Sequence, residues 1–400
     1  MTTTAIPLVD HFAQGLDAPI CITWELTYAC NLACHHCLSS SGRRDPDELT
    51  TAEAMAVIDE LAEMQVFYVN IGGGEPTIRP DFWQLLDHAA ARGVGVKFST
   101  NGSRITPEAA ARLAASDYVD VQISVDGATA DVNDAVRGEG TFATAVQAME
   151  HLAAAGFEGF KLSVVCTRQN AGQLDELKAL ADRYGAQLRL TRLRPSGRGA
   201  DVWDELHPAA EQQRGIYEWL LEHGEEVLTG DSFFHLAGFG EPLPGLNLCG
   251  AGRVVCLIDP VGDVYACPFT IHDEFLAGNV RAEGFAAVWR TSELFQSLRG
   301  PHSGGACESC SAWDACRGGC MAAKFFTGMP LDGPDPECVK GHGETALATI
   351  DSASAPRPSI DHSKPTPTPV VLRRRPDRSC DESPLAGLDV ASLPTPAGAT

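Results

Sequence analysis

The sequence predicts an α/β fold, a partial (β/α)6 barrel followed by an irregular cysteine-rich region. Between about Ile20 and Arg192, short apolar runs alternate with helical periodicity, as parallel α/β folds require. Polar or glycine-rich segments directly follow these runs, and barrel enzymes place their active sites at such strand ends. Beyond the barrel, cysteines are frequent and helical periodicity is scarce.

Six runs rich in β-branched and aromatic residues are predicted strands. They are Ile20–Glu25, Phe67–Ile71, Val94–Phe98, Val119–Val125, Phe160–Val165 and Gln187–Leu190. The first helix begins at Thr50, with Glu53 in capping-box spacing. Two further helix starts are predicted at Thr106, which Pro107 follows, and at Thr141.

The domain prediction divides the 400 residues into four segments. They are an N-terminal segment over 1–19, the barrel over 20–224, the cysteine-rich region over 225–345 and a tail over 346–400. Residues Asp351 to Thr400 contain nine prolines, seven serines and no aromatic residue. Such a segment buries too little apolar surface to order itself, so we expect a disordered tail.

Charge and hydropathy exclude two classes of partner. With 53 acidic and 30 basic side chains, the formal net charge of −23 disfavours binding to nucleic acid. No apolar run approaches the ~18 residues that a membrane span needs. No Lys or Arg precedes Arg43, so the basic region of a signal peptide is missing, and we expect a cytoplasmic protein.

Fourteen cysteines in such a chain indicate metal centres. Cys30, Cys34 and Cys37 provide three thiolates on one loop, enough to hold a [4Fe-4S] cluster with one iron left open. A structural zinc site, completed by an adjacent histidine, is the alternative. Cys21 and Cys166 lie in predicted strands as small buried hydrophobes, and Cys380 lies in the tail.

The spacing Cys30-x3-Cys34-x2-Cys37 resembles the radical S-adenosylmethionine (SAM) superfamily, whose open iron chelates SAM. Gly73-Gly74-Glu75 resembles that family's GGE motif, in which the carboxylate faces the SAM ammonium. Thr100 and Asn101 follow the third predicted strand and are further candidate SAM-binding residues. The resemblance implies SAM contacts for Ser124 and Asp126, at the end of the fourth strand, and for Arg137. His36 is a departure, because the residue before the third cysteine is usually aromatic.

Eight later cysteines are similar to the SPASM extension of radical SAM enzymes, which binds two auxiliary [4Fe-4S] clusters. The resemblance implies that Cys249, Cys256, Cys267 and Cys320 hold the first auxiliary cluster. It implies that Cys307, Cys310, Cys316 and Cys338 hold the second. Three [4Fe-4S] clusters and SAM are therefore the expected cofactors.

Long runs outside the cysteines are similar to the mycofactocin radical SAM maturases, which modify a ribosomally made precursor peptide. These runs are Ala18–Leu49, Met64–Trp83, Val94–Gly102, Val119–Gly138, Leu228–Leu236, Leu246–Phe269 and Arg317–Cys338. The similarity implies oxidative decarboxylation of the tyrosine in a C-terminal Val-Tyr. It also implies a carbon–carbon bond that closes a pyrrolidinone ring between valine and the tyramine unit, with release of 5′-deoxyadenosine, methionine and carbon dioxide.

The same resemblance implies partners. Only 29 residues precede Cys30, which is too few for a winged-helix peptide-binding domain. We therefore expect a separate small peptide-binding chaperone, and an electron donor for SAM cleavage. The cysteine pattern alone leaves open another SPASM modifier, one that forms formylglycine or thioethers. A zinc-binding interaction protein is a further alternative, although it does not explain the Gly-Gly-Glu turn.

Overall fold

The computed structural model describes residues 12, 15–229, 233–241, 243, 249–300, 303–350 and 355–357. Most of the predicted N-terminal segment and most of the predicted tail, with Cys380, lie outside the described residues. The barrel and most of the cysteine-rich region lie within them.

Six parallel strands confirm the predicted series of βα units. They are β1 (Cys21–Thr27), β2 (Tyr68–Gly73), β3 (Gly95–Thr100), β4 (Val119–Ser124), β5 (Lys161–Cys166) and β6 (Gln187–Arg192). The predicted strand ends at Ile71, Phe98 and Leu190 are two residues too early, because β2, β3 and β6 end at Gly73, Thr100 and Arg192. The reason is backbone pairing, since Gly73 pairs with Thr27 and Arg192 with Cys166 whatever their side chains.

Helices connect the strands and cover the outside of the sheet. In the barrel they are Thr51–Glu63, Phe82–Ala91, Pro107–Ala114, Ala130–Arg137, Thr141–Ala154 and Leu174–Arg183, followed by Trp203–Leu206 and Ala210–His223. The Thr50 and Glu53 capping box is present, and the Thr106 hydroxyl accepts from the backbone N–H of Ala109. Thr141 is the first helical residue, and its N-cap is Gly140. No helix in the described part of the chain is long and apolar enough to span a membrane.

The cysteine-rich region continues the barrel sheet. Its strands are β7 (Val255–Ile258), β8 (Asp263–Tyr265) and β9 (Leu276–Asn279). The strand order is β6-β5-β4-β3-β2-β1-β7-β8-β9, with β7 parallel to β1 and the last two strands antiparallel. These strands of three or four residues are too short to show periodicity in the sequence, so none of them was predicted.

The rest of this region consists of short helices. They are Val280–Glu283, Phe285–Thr291, Glu293–Arg299, Trp313–Cys316, Met321–Phe326 and His342–Leu347. Single 3-10 turns are Pro76–Ile78, Gly197–Ala200, Phe234–Phe239, Asp273–Phe275 and Gly305–Ser309. Two of these helices lie between Phe285 and Arg299, where apolar residues recur at helical spacing in the sequence.

Alternation along the strands decides which side chains reach the barrel interior. On β1, Ile22 and Trp24 are fully buried against the helices, whereas Cys21 and Thr23 line an interior cavity. Cys166 is 1% exposed in the core, as predicted. Cys21 was predicted to be a buried hydrophobe, but it is only partly buried because it points inward.

A buried ion-pair network joins the end of β6 to the last cysteines. The Arg192 guanidinium donates to both carboxylate oxygens of Asp335, at 2.9 and 2.5 Å, and also contacts Glu337. Asp335 in turn accepts from the backbone N–H of Cys320 at 2.7 Å. Although burial acts to raise it, Arg192 holds the pKa of Asp335 below its usual range. The network ties the cysteine-rich region to the barrel mouth.

Replacing Arg192 with leucine should therefore destabilise the chain strongly. Two carboxylates would remain buried without their cation, which typically costs ~3–5 kcal/mol. The matched control is Arg281→Leu, which breaks a 2.7 Å pair with Glu53 whose side chains are 33% and 38% exposed. An exposed pair contributes under about 1 kcal/mol. Equal unfolding midpoints for the two variants in anaerobic urea titrations would contradict the role given to Arg192.

Candidate functional site

A cavity of about 540 Å³ fills the barrel interior. It is lined by nearly all of the site residues predicted for the SAM-cleaving centre: Cys30, Cys34, Cys37, Gly73, Gly74, Glu75, Thr100, Asn101, Ser124 and Arg137. They come from the loop after β1 and from the ends or following turns of β2, β3 and β4, with Arg137 at the end of a helix. The structure therefore brings together residues that lie more than a hundred positions apart in the sequence.

Backbone bonds shape the loop that carries the three cysteines. The N–H of Cys30 donates to the carbonyl of Gly42 at 2.9 Å, and the N–H of Cys37 donates to that of Cys34 at 3.3 Å. Arg198, from the turn after β6, donates to the carbonyls of Cys34 and Ser41, at 2.9 Å each. This clamp holds both ends of the loop against the barrel.

The donor set of this loop fits an iron–sulfur cluster. Burial raises the pKa of Cys30 to about 12 and also raises that of Cys34. A thiol in such surroundings becomes a thiolate only beside positive charge, which a bound metal provides. Three thiols in one cavity suit a cube that leaves one iron open. Among the described residues, no three His, Cys, Asp or Glu side chains are close enough to share a single metal ion.

The Gly-Gly-Glu turn packs directly on the loop that leads into the cysteines. A Cβ on Gly74 would lie 1.9 Å from the carbonyl oxygen of Ala29, so no other residue fits there. Gly73 has a φ of +95°, a conformation that L side chains rarely adopt. Gly72 has open space where its Cβ would stand. The turn thus presents bare backbone to the cavity.

Glu75 organises the cavity wall beside this turn. Its Oε1 accepts from the hydroxyls of Thr77 and Thr100, at 2.5 and 2.8 Å, and its Oε2 accepts from the N–H of Asn101 at 2.8 Å. Asn101 donates to Asn31 in the cysteine loop at 2.8 Å. Burial raises the pKa of Glu75, and these hydrogen bonds act against the shift. Oε2 keeps lone-pair capacity for one further donor.

Asp126 lies behind the cavity wall and contacts other site residues. It is fully buried, its Oδ2 lies 2.7 Å from Arg137 Nε and 2.9 Å from His36 Nε2, and its Oδ1 accepts from the N–H of Val165 at 2.8 Å. Although burial acts to raise it, Arg137 and His36 hold the pKa of Asp126 below its usual range. His36, the departure from the aromatic pattern, is therefore held by Asp126, which also fixes Arg137 at the cavity.

Three contributors to the site were missed by the sequence analysis. Asn31 and Arg198 brace the cysteine loop, and Glu25 is fully buried near Cys37, where burial raises its pKa well above the usual range. Asn31 directly follows Cys30 in the sequence, and this position could have indicated that it belongs to the site. Arg198 and Glu25 carry no sequence signal, because only the fold brings them to the loop.

The later cysteines lie in two neighbourhoods. Burial raises the pKa of Cys307 and raises that of Cys316 to about 12, and the nearby thiol of Cys338 adds to both shifts. The nearby thiol of Cys310 also acts to raise the pKa of Cys307. In the other neighbourhood, Cys320 Sγ accepts from Arg194 Nε at 3.4 Å. These contacts group Cys307, Cys310, Cys316 and Cys338, the set that the resemblance implies for the second auxiliary cluster, and place Cys320 beside Arg194.

Comparison with known proteins places this fold and site in a class. A family model of the radical SAM superfamily matches residues 24–181, and one of the SPASM iron–sulfur cluster-binding domain matches residues 249–316. The crystal structure of Streptococcus suis SuiB bound to S-adenosylmethionine shares the fold, with a TM-score of 0.65, 18% identity, and coverage of 82% of this chain and 78% of SuiB. The protein is a radical SAM enzyme with a SPASM iron–sulfur domain.

Sequence similarity narrows the class to one family. Mycofactocin maturase MftC of Mycobacterium tuberculosis (strain ATCC 25618 / H37Rv) is 67% identical over 393 residues, covering 96% of this chain and all of the relative. Its namesake in Mycolicibacterium smegmatis is 69% identical over 385 residues, covering 94% and 98%. The chain belongs to the mycofactocin maturase family, and it is a peptide maturase that uses iron–sulfur clusters and SAM.

Gly74→Ala should displace the cysteine loop, because the new methyl group would overlap the Ala29 carbonyl. Overpacking of this kind costs roughly 1–3 kcal/mol. We expect a lower melting temperature and loss of iron from the SAM-cleaving site. Gly172→Ala is the control, since nothing lies within 4 Å of its Cβ position. The melting temperature is measured by calorimetry and the iron content by chemical analysis. Equal values for the two variants would refute the close approach of Gly74 to Ala29.

Proposed function

We propose that this chain oxidatively decarboxylates the C-terminal tyrosine of a mycofactocin precursor peptide and then joins the preceding valine to the tyramine unit. The observation that carries the proposal is one cavity containing the cysteine trio and the Gly-Gly-Glu turn, in a chain 67% identical to a mycofactocin maturase. The structure of SuiB with its precursor peptide SuiA, at a TM-score of 0.66, indicates that such a fold accepts a peptide.

We assign three [4Fe-4S] clusters to two regions of the chain. The barrel over 20–224 would hold the SAM-cleaving cluster through Cys30, Cys34 and Cys37. The region over 225–345 would hold the two auxiliary clusters. Matches to the two family models, at residues 24–181 and 249–316, support this division.

The first reaction releases one electron from the peptide, and an auxiliary cluster, when bound, would accept it. When bound to the open iron, SAM supplies a 5′-deoxyadenosyl radical by one-electron reductive cleavage. The tyrosine loses one hydrogen atom from Cβ, and then its carboxylate leaves as carbon dioxide with one electron. A Cα=Cβ double bond remains, so the peptide ends in an unsaturated tyramine unit.

The second reaction consumes another SAM and is redox-neutral for the peptide. The valine side chain loses one hydrogen atom, and its carbon forms a bond to the former tyrosine alkene. That bond closes the pyrrolidinone ring, and the radical that remains then takes up one electron from the electron donor and one proton. Both reactions need one substrate hydrogen aimed at the radical and water kept out.

The cavity residues provide that positioning. The Gly73-Gly74 backbone allows SAM to approach closely, Glu75 Oε2 retains capacity to accept from the SAM ammonium, and Arg137 faces the cavity while Asp126 fixes it. Thr100, Asn101 and Ser124 complete the SAM-facing wall. Arg189 and Arg194 also line the cavity and give it positive charge that suits a peptide carboxylate.

We also propose that the enzyme works in the cytoplasm with a separate peptide-binding chaperone and an external electron donor. The chaperone would deliver the precursor peptide to the cavity. Turnover that disappears when the chaperone is omitted supports this arrangement. Full activity on free peptide would refute it.

Mass spectrometry of a peptide ending in Val-Tyr tests the proposed function. The peptide is incubated anaerobically with reconstituted enzyme, SAM, reductant and the chaperone. We expect loss of carbon dioxide together with two hydrogens, and then ring closure at unchanged mass. If 5′-deoxyadenosine accumulates while the peptide stays unmodified, the chain cleaves SAM but the proposed substrate is wrong.

Two cysteine variants separate SAM cleavage from product formation. Cys34→Ala should abolish SAM cleavage, because a cluster with two remaining protein ligands is lost or misassembled. Cys310→Ala should retain part of the 5′-deoxyadenosine formation but yield no modified peptide, because an auxiliary cluster is missing. Both products are quantified by chromatography. Equal loss of SAM cleavage in both variants would contradict this separation and would indicate that the auxiliary clusters are structural as well.

A further inference from the structure

Three polar side chains line the cavity beneath the SAM-facing residues. They are Asn70 of β2, Ser99 of β3 and Gln122 of β4. Thr100 directly follows Ser99, and Ser124 comes two residues after Gln122. Because the SAM-facing residues lie at the carboxyl ends of the strands, these three side chains form a layer one level deeper in the barrel.

Gln122 is held in this layer with its carbonyl oxygen unpaired. Its side-chain Nε2 donates to Asn70 Oδ1 at 3.1 Å and to Ser99 Oγ at 3.2 Å, which uses both N–H groups of the amide. The residue is 1% exposed, and its buried Oε1 accepts no hydrogen bond from any residue that the structure describes. A buried acceptor without a donor is costly, so this oxygen is suited to a donor on a bound molecule.

Lys97 brings a positive charge to the same layer. It lines the cavity from β3, directly opposite Asn70 in the pairing of β2 with β3. Asp120, which lies opposite Lys97 on β4, forms an ion pair with Lys161 at 2.9 Å. Within the described part of the chain, the Lys97 ammonium has no hydrogen-bond or ion-pair partner, and it lies 5.5 Å from the centre of the Tyr68 ring.

Together these two groups are complementary to a hydroxyl group. A hydroxyl both donates and accepts hydrogen bonds, so it can satisfy the Gln122 oxygen and the Lys97 ammonium at once. A peptide N–H could serve only Gln122, and a carboxylate could serve only Lys97. Asn70 accepts from Gln122 and lies opposite Lys97, which places both groups on one patch of the cavity wall.

The depth of this patch suits a tyrosine side chain. The step of two residues from Gln122 to Ser124 is about 7 Å along the strand. This is close to the length of a tyrosine side chain from Cβ to its hydroxyl oxygen. A tyrosine with its hydroxyl at Gln122 would therefore hold its Cβ level with the SAM-facing residues, where the proposed reaction removes a hydrogen.

We propose that Gln122 and Lys97 bind the phenol of the C-terminal tyrosine and determine the preference for tyrosine over phenylalanine. The phenol donates to Gln122 Oε1 and accepts from the Lys97 ammonium. The assignment rests on the proposed function, since it takes the precursor peptide as the substrate. A ribose hydroxyl of SAM has the same chemistry, but the expected SAM contact on this strand is Ser124, one level above.

The test compares precursor peptides ending in Val-Tyr and Val-Phe. The full chain is reconstituted anaerobically and supplied with SAM, reductant and the chaperone, and kcat/KM for decarboxylation is measured for the wild type, Gln122→Leu, Gln122→Glu and Lys97→Met. Thr191→Val is the matched control, because Thr191 lines the same cavity but its hydroxyl already donates to the carbonyl of Val164 at 3.1 Å. Comparing the Tyr-to-Phe ratio between variants cancels any effect of the phenol on the chemistry itself.

We expect the wild type to prefer the tyrosine peptide strongly, because a site that binds a substrate hydroxyl rejects the analogue without it. Gln122→Leu and Lys97→Met should each reduce this preference by roughly tenfold to a hundredfold, since one hydrogen bond to the phenol is lost. Gln122→Glu keeps an acceptor and should retain most of the preference. Thr191→Val should leave the preference unchanged.

Equal kcat/KM for the two peptides in the wild type, or an unchanged preference in Gln122→Leu, would overturn the assignment. A higher KM for SAM in Gln122→Leu beside an unchanged preference would place a ribose hydroxyl of SAM at this patch instead. Circular dichroism checks that each variant is folded, and Gln122→Ala replaces Gln122→Leu if the latter is not. Those outcomes leave the proposed function standing, whereas a wild type that modifies neither peptide would overturn both claims.

Discussion

The contact between the Gly73-Gly74 turn and the backbone of Ala29 is the constraint on which the rest of the site depends. It places the end of β2 against the start of the cysteine loop with no room for a side chain. Glu75 then follows in the turn at the point where it can bond Thr100 and Asn101 at the end of β3. One close backbone approach therefore aligns the cysteines, the glycine turn and the neighbouring strand around one cavity.

Buried charge extends this arrangement from the barrel to the cysteine-rich region. Asp126 holds Arg137 and His36 at the cavity, and Arg192 holds Asp335, which bonds the backbone of Cys320. A buried carboxylate is costly without a cation, so each of these pairs permits few alternative arrangements. This explains how two regions that are distant in sequence share one sheet and one cavity.

The sequence allowed the barrel and the SAM-cleaving centre to be predicted because their signals are local. β-Branched runs marked the six strands, and the cysteine spacing with the Gly-Gly-Glu turn marked the site. Strands β7 to β9 lack such signals, because they have three or four residues each. The side on which a side chain lies was harder to predict. Cys21 was expected to be buried but lines the cavity, and Asp126 was expected to contact SAM but lies behind the cavity wall. Only the pairing of strands decides which face a residue occupies.

In the proposed function, this cavity directs a C-terminal tyrosine hydrogen to the SAM-derived radical. The most direct measurement uses a precursor peptide with deuterium at both Cβ positions of its last tyrosine, and analyses the 5′-deoxyadenosine formed in the first reaction. We expect one deuterium in 5′-deoxyadenosine for each decarboxylated peptide. Decarboxylated peptide formed together with unlabelled 5′-deoxyadenosine would contradict it.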